Sequence, residues 1–199
     1  MMFRRVIIVL AVVLVLFAAV GLILPRNFHL TRSVSIQAHP MRVINCLVTL
    51  DRWEAWWPWD RLNAGNRLEV NQLEAGGERA PTGAAISWSG RPAPGSLVLT
   101  QTSLAGIEYD LYFNANTRPD KGAFDIRASD RGTELTWRVD GHFETPVVGG
   151  YFALLADAMH GGAVAWGLRN IKDLAESDDS ELILYYQDEQ GKEVTGKIE

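Results

Sequence analysis

Residues 107–113 read IEYDLYF. In an extended backbone successive side chains point to opposite faces, so Ile107, Tyr109, Leu111 and Phe113 share one side and Glu108, Asp110 and Tyr112 the other. The same division recurs in residues 134–140, ELTWRVD. Each segment is a strand with one apolar and one wet face. Working outward, residues 67–73, 84–89, 96–102, 107–114, 122–128 and 133–140 all alternate in this way, separated by Gly, Pro, Asn and Asp turns. A spacing of roughly 10 to 15 residues leaves no room for crossover helices, so neighbouring strands are expected to pair antiparallel in a meander. Residues 29–37, HLTRSVSIQ, add an earlier strand with Val34 and Ile36 on one face.

Helical signals flank the strands. Pro40 suits the first turn of a helix and opens the apolar stretch MRVINCLVTL. DRWEAWWPWD, residues 51–60, follows and holds four of the chain's seven Trp. From about residue 147 to 176 the spacing becomes helical, with Val164, Leu168, Ile171 and Leu174 or Ala175 on one face. Gly149, Gly150 and the pair Gly161 and Gly162 each lower helix propensity by about 1 kcal/mol relative to Ala, which predicts a kink or a close backbone approach. Residues 177–199 form an acidic tail with a central LILYY, read as an added edge strand or an end without regular structure.

Residues 6–24, VIIVLAVVLVLFAAVGLIL, carry no charge. As a helix they span roughly 28 Å, the hydrocarbon thickness of a bilayer. The run is longer than a signal-peptide apolar core and ends in Leu22-Ile23-Leu24-Pro25 with no small-residue cleavage site, so residues 1–28 are read as an uncleaved transmembrane anchor. Arg4 and Arg5 precede it; by the positive-inside rule the N-terminus is cytoplasmic and the domain extracytoplasmic, although Arg26 and Arg32 beyond the run weaken that asymmetry.

The chain has 199 residues, 47% hydrophobic and 22% charged, enough for one globular domain of residues 29–176 beside the anchor and tail. Cys46 is its one cysteine, which excludes an internal disulfide framework and a cysteine-rich zinc site. Of 19 basic residues Arg4, Arg5 and Arg26 precede His29, while all 24 acidic ones follow it, so the body carries a formal −8. That charge argues against nucleic-acid binding. His29, His39 and His142 show no metal-ligand spacing, and neither metal nor cofactor is expected.

Strand, two short helices, six antiparallel strands and a long C-terminal helix is the order of an α+β helix-grip (START-like) fold. In that fold a curved antiparallel seven-stranded sheet wraps the helix, here preceded by one transmembrane helix. The sequence resembles the START/SRPBCC superfamily, specifically its polyketide cyclase/dehydrase and lipid-transport group, which includes membrane-anchored members. The resemblance rests on the strand and turn from Arg32-Ser33 to Pro40, on Trp53-x-x-Trp56-x-Pro58-Trp59-Asp60, and on GAAISWSG at residues 83–90. It continues through Ile107-Glu108-Tyr109, Gly132-Thr133-x-Leu135-Thr136-Trp137 up to Gly141, and Gly167-Leu168-x-x-Ile171-Lys172, covering about residues 28–176. It implies a cavity between sheet and helix. It carries over no catalytic residue, because the superfamily shares no catalytic constellation.

The residues placed to line such a cavity are Trp88, Tyr109, Leu111, Phe113, Phe124, Ile126 and Trp137 from the sheet, with Met159 and Trp166 from the helix. Read singly, each is better explained by core packing, whereas for the set a residual cavity is favoured, through the fold resemblance alone. The tryptophans of residues 53–59 can gate that cavity, sit at a membrane interface, or form a packed corner; the corner is preferred. Asp157 and His160, three apart on the helix, are the candidates for an acid/base pair, against the plainer reading of a polar helix face. Glu108, Asp110, Asp125, Arg127, Glu134 and Arg138 are expected to solvate the outer sheet face and pair across strands. Neither a phosphate-cradling glycine loop nor a nucleophile elbow is present.

Three functions remain open: an anchored module that binds a hydrophobic small molecule or lipid, a cyclase/dehydrase-like or hydrolytic enzyme using the cavity, and a non-catalytic interaction module with a filled core. The sequence favours the first.

Overall fold

The computed structural model describes residues 2–58, 68–71, 82–88, 94–113, 118–177, 183–187 and 193–197. Helix α1 (Met2–Ile23) has no charged residue after Arg5 and is long and apolar enough to cross a bilayer. It breaks before Pro25, and strand β1 (Asn27–Ile36) begins almost at once. Pro40 occupies the first turn of α2 (Pro40–Val48), and His39 caps that helix, its Nδ1 accepting from the Met41 N–H at 3.2 Å. A 3₁₀ turn (Leu50–Arg52) leads into α3 (Trp53–Trp56).

The strands follow as β2 (Leu68–Asn71), β3 (Ala85–Trp88), β4 (Gly95–Ser103), β5 (Gly106–Phe113), β6 (Asp120–Ser129) and β7 (Gly132–His142), then helix α4 (Gly149–Ser177). All pairings are antiparallel, in the order β1-β7-β6-β5-β4-β3-β2. The meander is as expected, and β1 closes back on β7 with Val34 opposite Leu135. Six strands form the curved wall facing the helices, and four-residue β2 extends its edge beside β3. A register shift between Leu99 and Gln101 bends β4. Gly106 and Gly132 start strands at φ of 142° and 128°, a conformation that side chains resist. The expected strand of residues 67–73 lies partly outside the described residues. In the tail, β8 (Ile183–Gln187) and β9 (Glu193–Lys197) pair with each other in a separate ribbon. Neither of the two readings left open for the tail describes residues 183–187, whose strand pairs with the tail's own return strand and not with the main sheet.

Alternation decides what each strand buries. In β7, Thr133, Leu135, Trp137 and Val139 point inward while Glu134, Arg138 and Asp140 are exposed. On the outer face Arg138 meets Asp125 at 3.0 Å and Lys121 meets Asp110 at 3.4 Å, cross-strand pairs of the kind the pattern predicts. On the inner face α4 packs chiefly along β1 and also touches α2, α3 and β7. It buries Val164, Leu168, Ile171 and Ala175, with Leu174 partly buried.

The two glycine pairs of α4 mark close approaches within one continuous helix. A Cβ on Gly161 would lie 2.7 Å from the Arg32 guanidinium, whereas Gly162 faces open space. A Cβ on Gly150 would lie 2.4 Å from Leu24, because α1 leans on the start of α4. There the Phe17 and Tyr151 rings stack at 4.4 Å, and the Tyr151 hydroxyl donates to the Phe17 carbonyl at 2.9 Å. Gly21 completes the contact, since a Cβ there would meet the Val147 carbonyl oxygen at 2.1 Å. Val147 itself has φ of 66°, a strained conformation for a β-branched residue.

Candidate functional site

The aromatic side of the sheet is met by α2 and α3. α2 ends with carbonyls that have no partner within the helix, and two indoles supply one: Trp53 Nε1 donates to Leu47 O at 2.9 Å and Trp56 Nε1 to Cys46 O at 3.2 Å. Those bonds fix α3 so that its rings project onto the sheet. Trp53 and Trp56 lie 4.5 Å apart and Trp53 and Trp57 5.1 Å apart, with all three buried. Trp56 stands edge-on to Phe124 at 5.6 Å and to Trp137 at 5.9 Å; Trp57 reaches Trp88 at 6.1 Å and Tyr109 at 6.5 Å. The packed-corner reading of Trp53, Trp56 and Trp57 holds, while Trp59 lies outside the described residues.

Of the residues placed to line a cavity, Trp88, Tyr109, Leu111, Phe124, Ile126 and Trp137 are all buried in this cluster, and Phe113 packs against it partly exposed. Phe124 and Trp137 stack at 4.6 Å across β6 and β7. Trp137 Nε1 donates to the Tyr109 hydroxyl at 2.8 Å, and burial pushes the Tyr109 phenol well above its usual range, so it stays protonated. Three of the chain's rings lie over a glycine directly opposite on the neighbouring strand. A Cβ on Gly122 would come within 1.9 Å of Tyr109, on Gly95 within 2.2 Å of Trp88, and on Gly141 within 2.2 Å of Phe28. The rings therefore lie down along the sheet and do not stand up from it. Trp88 and Phe113 end the cluster, their rings 5.9 Å apart, with Trp88 buried and Phe113 partly exposed.

The helix candidates are placed differently. Met159 is 51% exposed, so its assignment to the interior is corrected: it belongs to the opposite, outward side of α4. Trp166 is half-buried. Asp157 is exposed and paired with Arg32 of β1, which Gly161 leaves room for. His160 is half-buried, with its ring stacked on Phe28 at 6.1 Å, and burial lowers its pKa. Each has its own partner, and the plain polar-face reading accounts for Asp157. The other histidines also have structural roles: His29 pairs with Asp140, His142 Nδ1 meets Asn27 Oδ1 at 2.7 Å, and His39 caps α2.

A sheet whose inner face is closed by two short helices and one long C-terminal helix, with the strand order above, has many solved counterparts. The fold is a helix-grip-like α+β fold. A protein from Chromobacterium violaceum matches with a TM-score of 0.52 at 15% identity, covering 76% of this chain and 99% of its own. The Aha1 dimer from Colwellia psychrerythraea matches at 0.51 and 15%, covering 76% and 98%. A protein of unknown function from Staphylococcus aureus matches at 0.58 and 9%, covering 76% and 94%. At these identities the likeness is one of fold. No protein-family model matches the chain, and no curated protein matches it. The packing of the corner is legible in WEAWW, because Trp53, Trp56 and Trp57 at spacings of three and four fall on one helical face.

Proposed function

We propose that this protein is a membrane-anchored, non-catalytic helix-grip module that holds a hydrophobic small molecule or lipid against the aromatic face of its sheet. α1 is the anchor, with the Arg4 and Arg5 end cytoplasmic and the domain on the far side of the membrane. The observation that carries the reading is the aromatic cluster on the inner sheet face from Trp88 through Tyr109 to Trp137, together with a helix long enough to cross a bilayer. Apolar contact of this kind contributes roughly 25 cal/mol per Å² before association costs. Because the α3 indoles occupy the middle, the guest belongs at the Trp88 and Phe113 end, where Phe113 is partly exposed. Polyketide-cyclase-like chemistry is the weaker proposal, since Asp157 and His160 are engaged separately with Arg32 and Phe28.

A second reading, an interaction module with a solid interior, is favoured by the full burial of Trp53, Trp56 and Trp137 in mutual contact. Native mass spectrometry of the detergent-extracted full-length protein separates the two. A co-purifying apolar molecule that is lost from Trp88→Ala and Phe113→Ala variants supports the binding module. A bare protein that also fails to bind an apolar fluorophore supports the solid one.

A further inference from the structure

The first half of α4 carries an apolar surface that nothing described above uses. Phe152, Leu154, Leu155 and Met159 are 40%, 64%, 54% and 51% exposed. At about 100° per residue they fall with Tyr151 and Ala158 on one arc of roughly 160°. Asp157, the one charged residue between Gly149 and Leu168, lies off that arc and is tied to Arg32. Farther along the same arc come Arg169 and Asp173. Polarity thus changes along the helix with distance from its N-terminus, and the apolar part lies beside α1.

We infer that this face of α4 is seated in the bilayer that α1 crosses, as an interfacial helix lying against the acyl chains. The occupant follows from continuity with α1. Tyr151 stacks on Phe17 and donates to its carbonyl, and Phe17 precedes Leu24 by seven residues, about 10 Å of helix. If residues 6–24 fill the hydrocarbon, the start of α4 reaches below the headgroups, at the depth to which amphipathic interfacial helices sink. Phe152 and Leu155 at that level face lipid. The ring contacts of Phe143 with Phe28 at 5.3 Å and with Phe152 at 5.7 Å continue the apolar band on to β1.

This inference rests on the reading of α1 as a span, and the test keeps the two apart. Full-length protein is reconstituted into phosphatidylcholine vesicles with a nitroxide at one of four exposed positions: Leu14→Cys in α1, Leu155→Cys and Met159→Cys in α4, and Glu134→Cys on the outer sheet face. Cys46 is fully buried and stays unlabelled in the folded protein. Collision with oxygen, which concentrates in lipid, is compared with collision with a water-soluble nickel chelate. The expected result is that Leu14, Leu155 and Met159 favour oxygen and lose nickel contact, while Glu134 keeps it. If Leu14 favours oxygen and the α4 labels behave like Glu134, the face is in water and the inference fails while the span stands. Labels on α4 shielded from both reagents place the face against a second copy of the chain and also overturn it. Nickel contact at Leu14 removes the span itself, and the inference with it.

Discussion

Tyr109 shows how closely the interior is fitted. Its hydroxyl accepts the Trp137 indole N–H at 2.8 Å in a fully buried setting, and its ring covers Gly122. Tyr109→Phe removes that acceptor from a buried indole N–H, at an expected cost of about 1–3 kcal/mol in urea unfolding. Gly122→Ala drives a methyl into the ring and is expected to cost a similar 1–3 kcal/mol, as overpacking does. In a Tyr109→Ala background that cost should largely disappear, because the two residues share one space. A double-mutant cycle in which the two substitutions simply add would show that the ring does not occupy the place described. Asp120 offers a pH probe. Burial outweighs the hydrogen bond from the His142 N–H and raises its carboxyl pKa. A carboxyl with a raised pKa in the folded state binds its proton more tightly folded than unfolded. Its contribution is therefore full below the ordinary carboxylate range and is lost as pH rises through the folded-state value. Asp120→Asn keeps an acceptor and carries no charge, so its urea midpoint should exceed wild type near pH 7 and lose that advantage near pH 3.

Among elements, α4 carries the sharpest contrast. Gly161 and Gly162 are adjacent in one helix, yet a Cβ at the first strikes the Arg32 and Asp157 pair and at the second meets nothing. Gly162→Ala should raise stability by up to about 1 kcal/mol, the intrinsic helix preference for alanine. Gly161→Ala should forfeit that gain, and paired thermal melts read the difference. The elements themselves were legible in the sequence. Period-2 alternation located the strands, and Pro40 and the Val164, Leu168, Ile171 series located α2 and the buried stripe of α4. What the pattern could not convey was depth. Alternation assigns Tyr109 and Trp88 to the inner face, but whether a ring stands up or lies flat depends on the glycine opposite, and register is a long-range property. Met159 was misplaced for a related reason: apolar character alone does not tell a residue facing the sheet from one facing outward.

For the whole molecule, α1 governs behaviour. Most of its large side chains are exposed, from 45% at Phe17 to 84% at Ile23, and Phe17, Gly21 and Leu24 form its contact with the domain. Full-length protein should stay in the membrane fraction through an alkaline carbonate wash, and its intact mass should include residues 1–28. A mature form beginning after Leu24 would instead mean a cleaved leader. The junction between helix and domain has a further mechanical outcome. A tethered domain usually swings on a flexible stalk, but here Gly21 sits under the Val147 carbonyl, Phe17 is clasped by Tyr151, and strand β1 starts within a few residues of the helix end. The domain is bolted to its post. With α1 in a bilayer, as proposed, that junction would hold the domain at one tilt, and every neighbour would meet it from the same side.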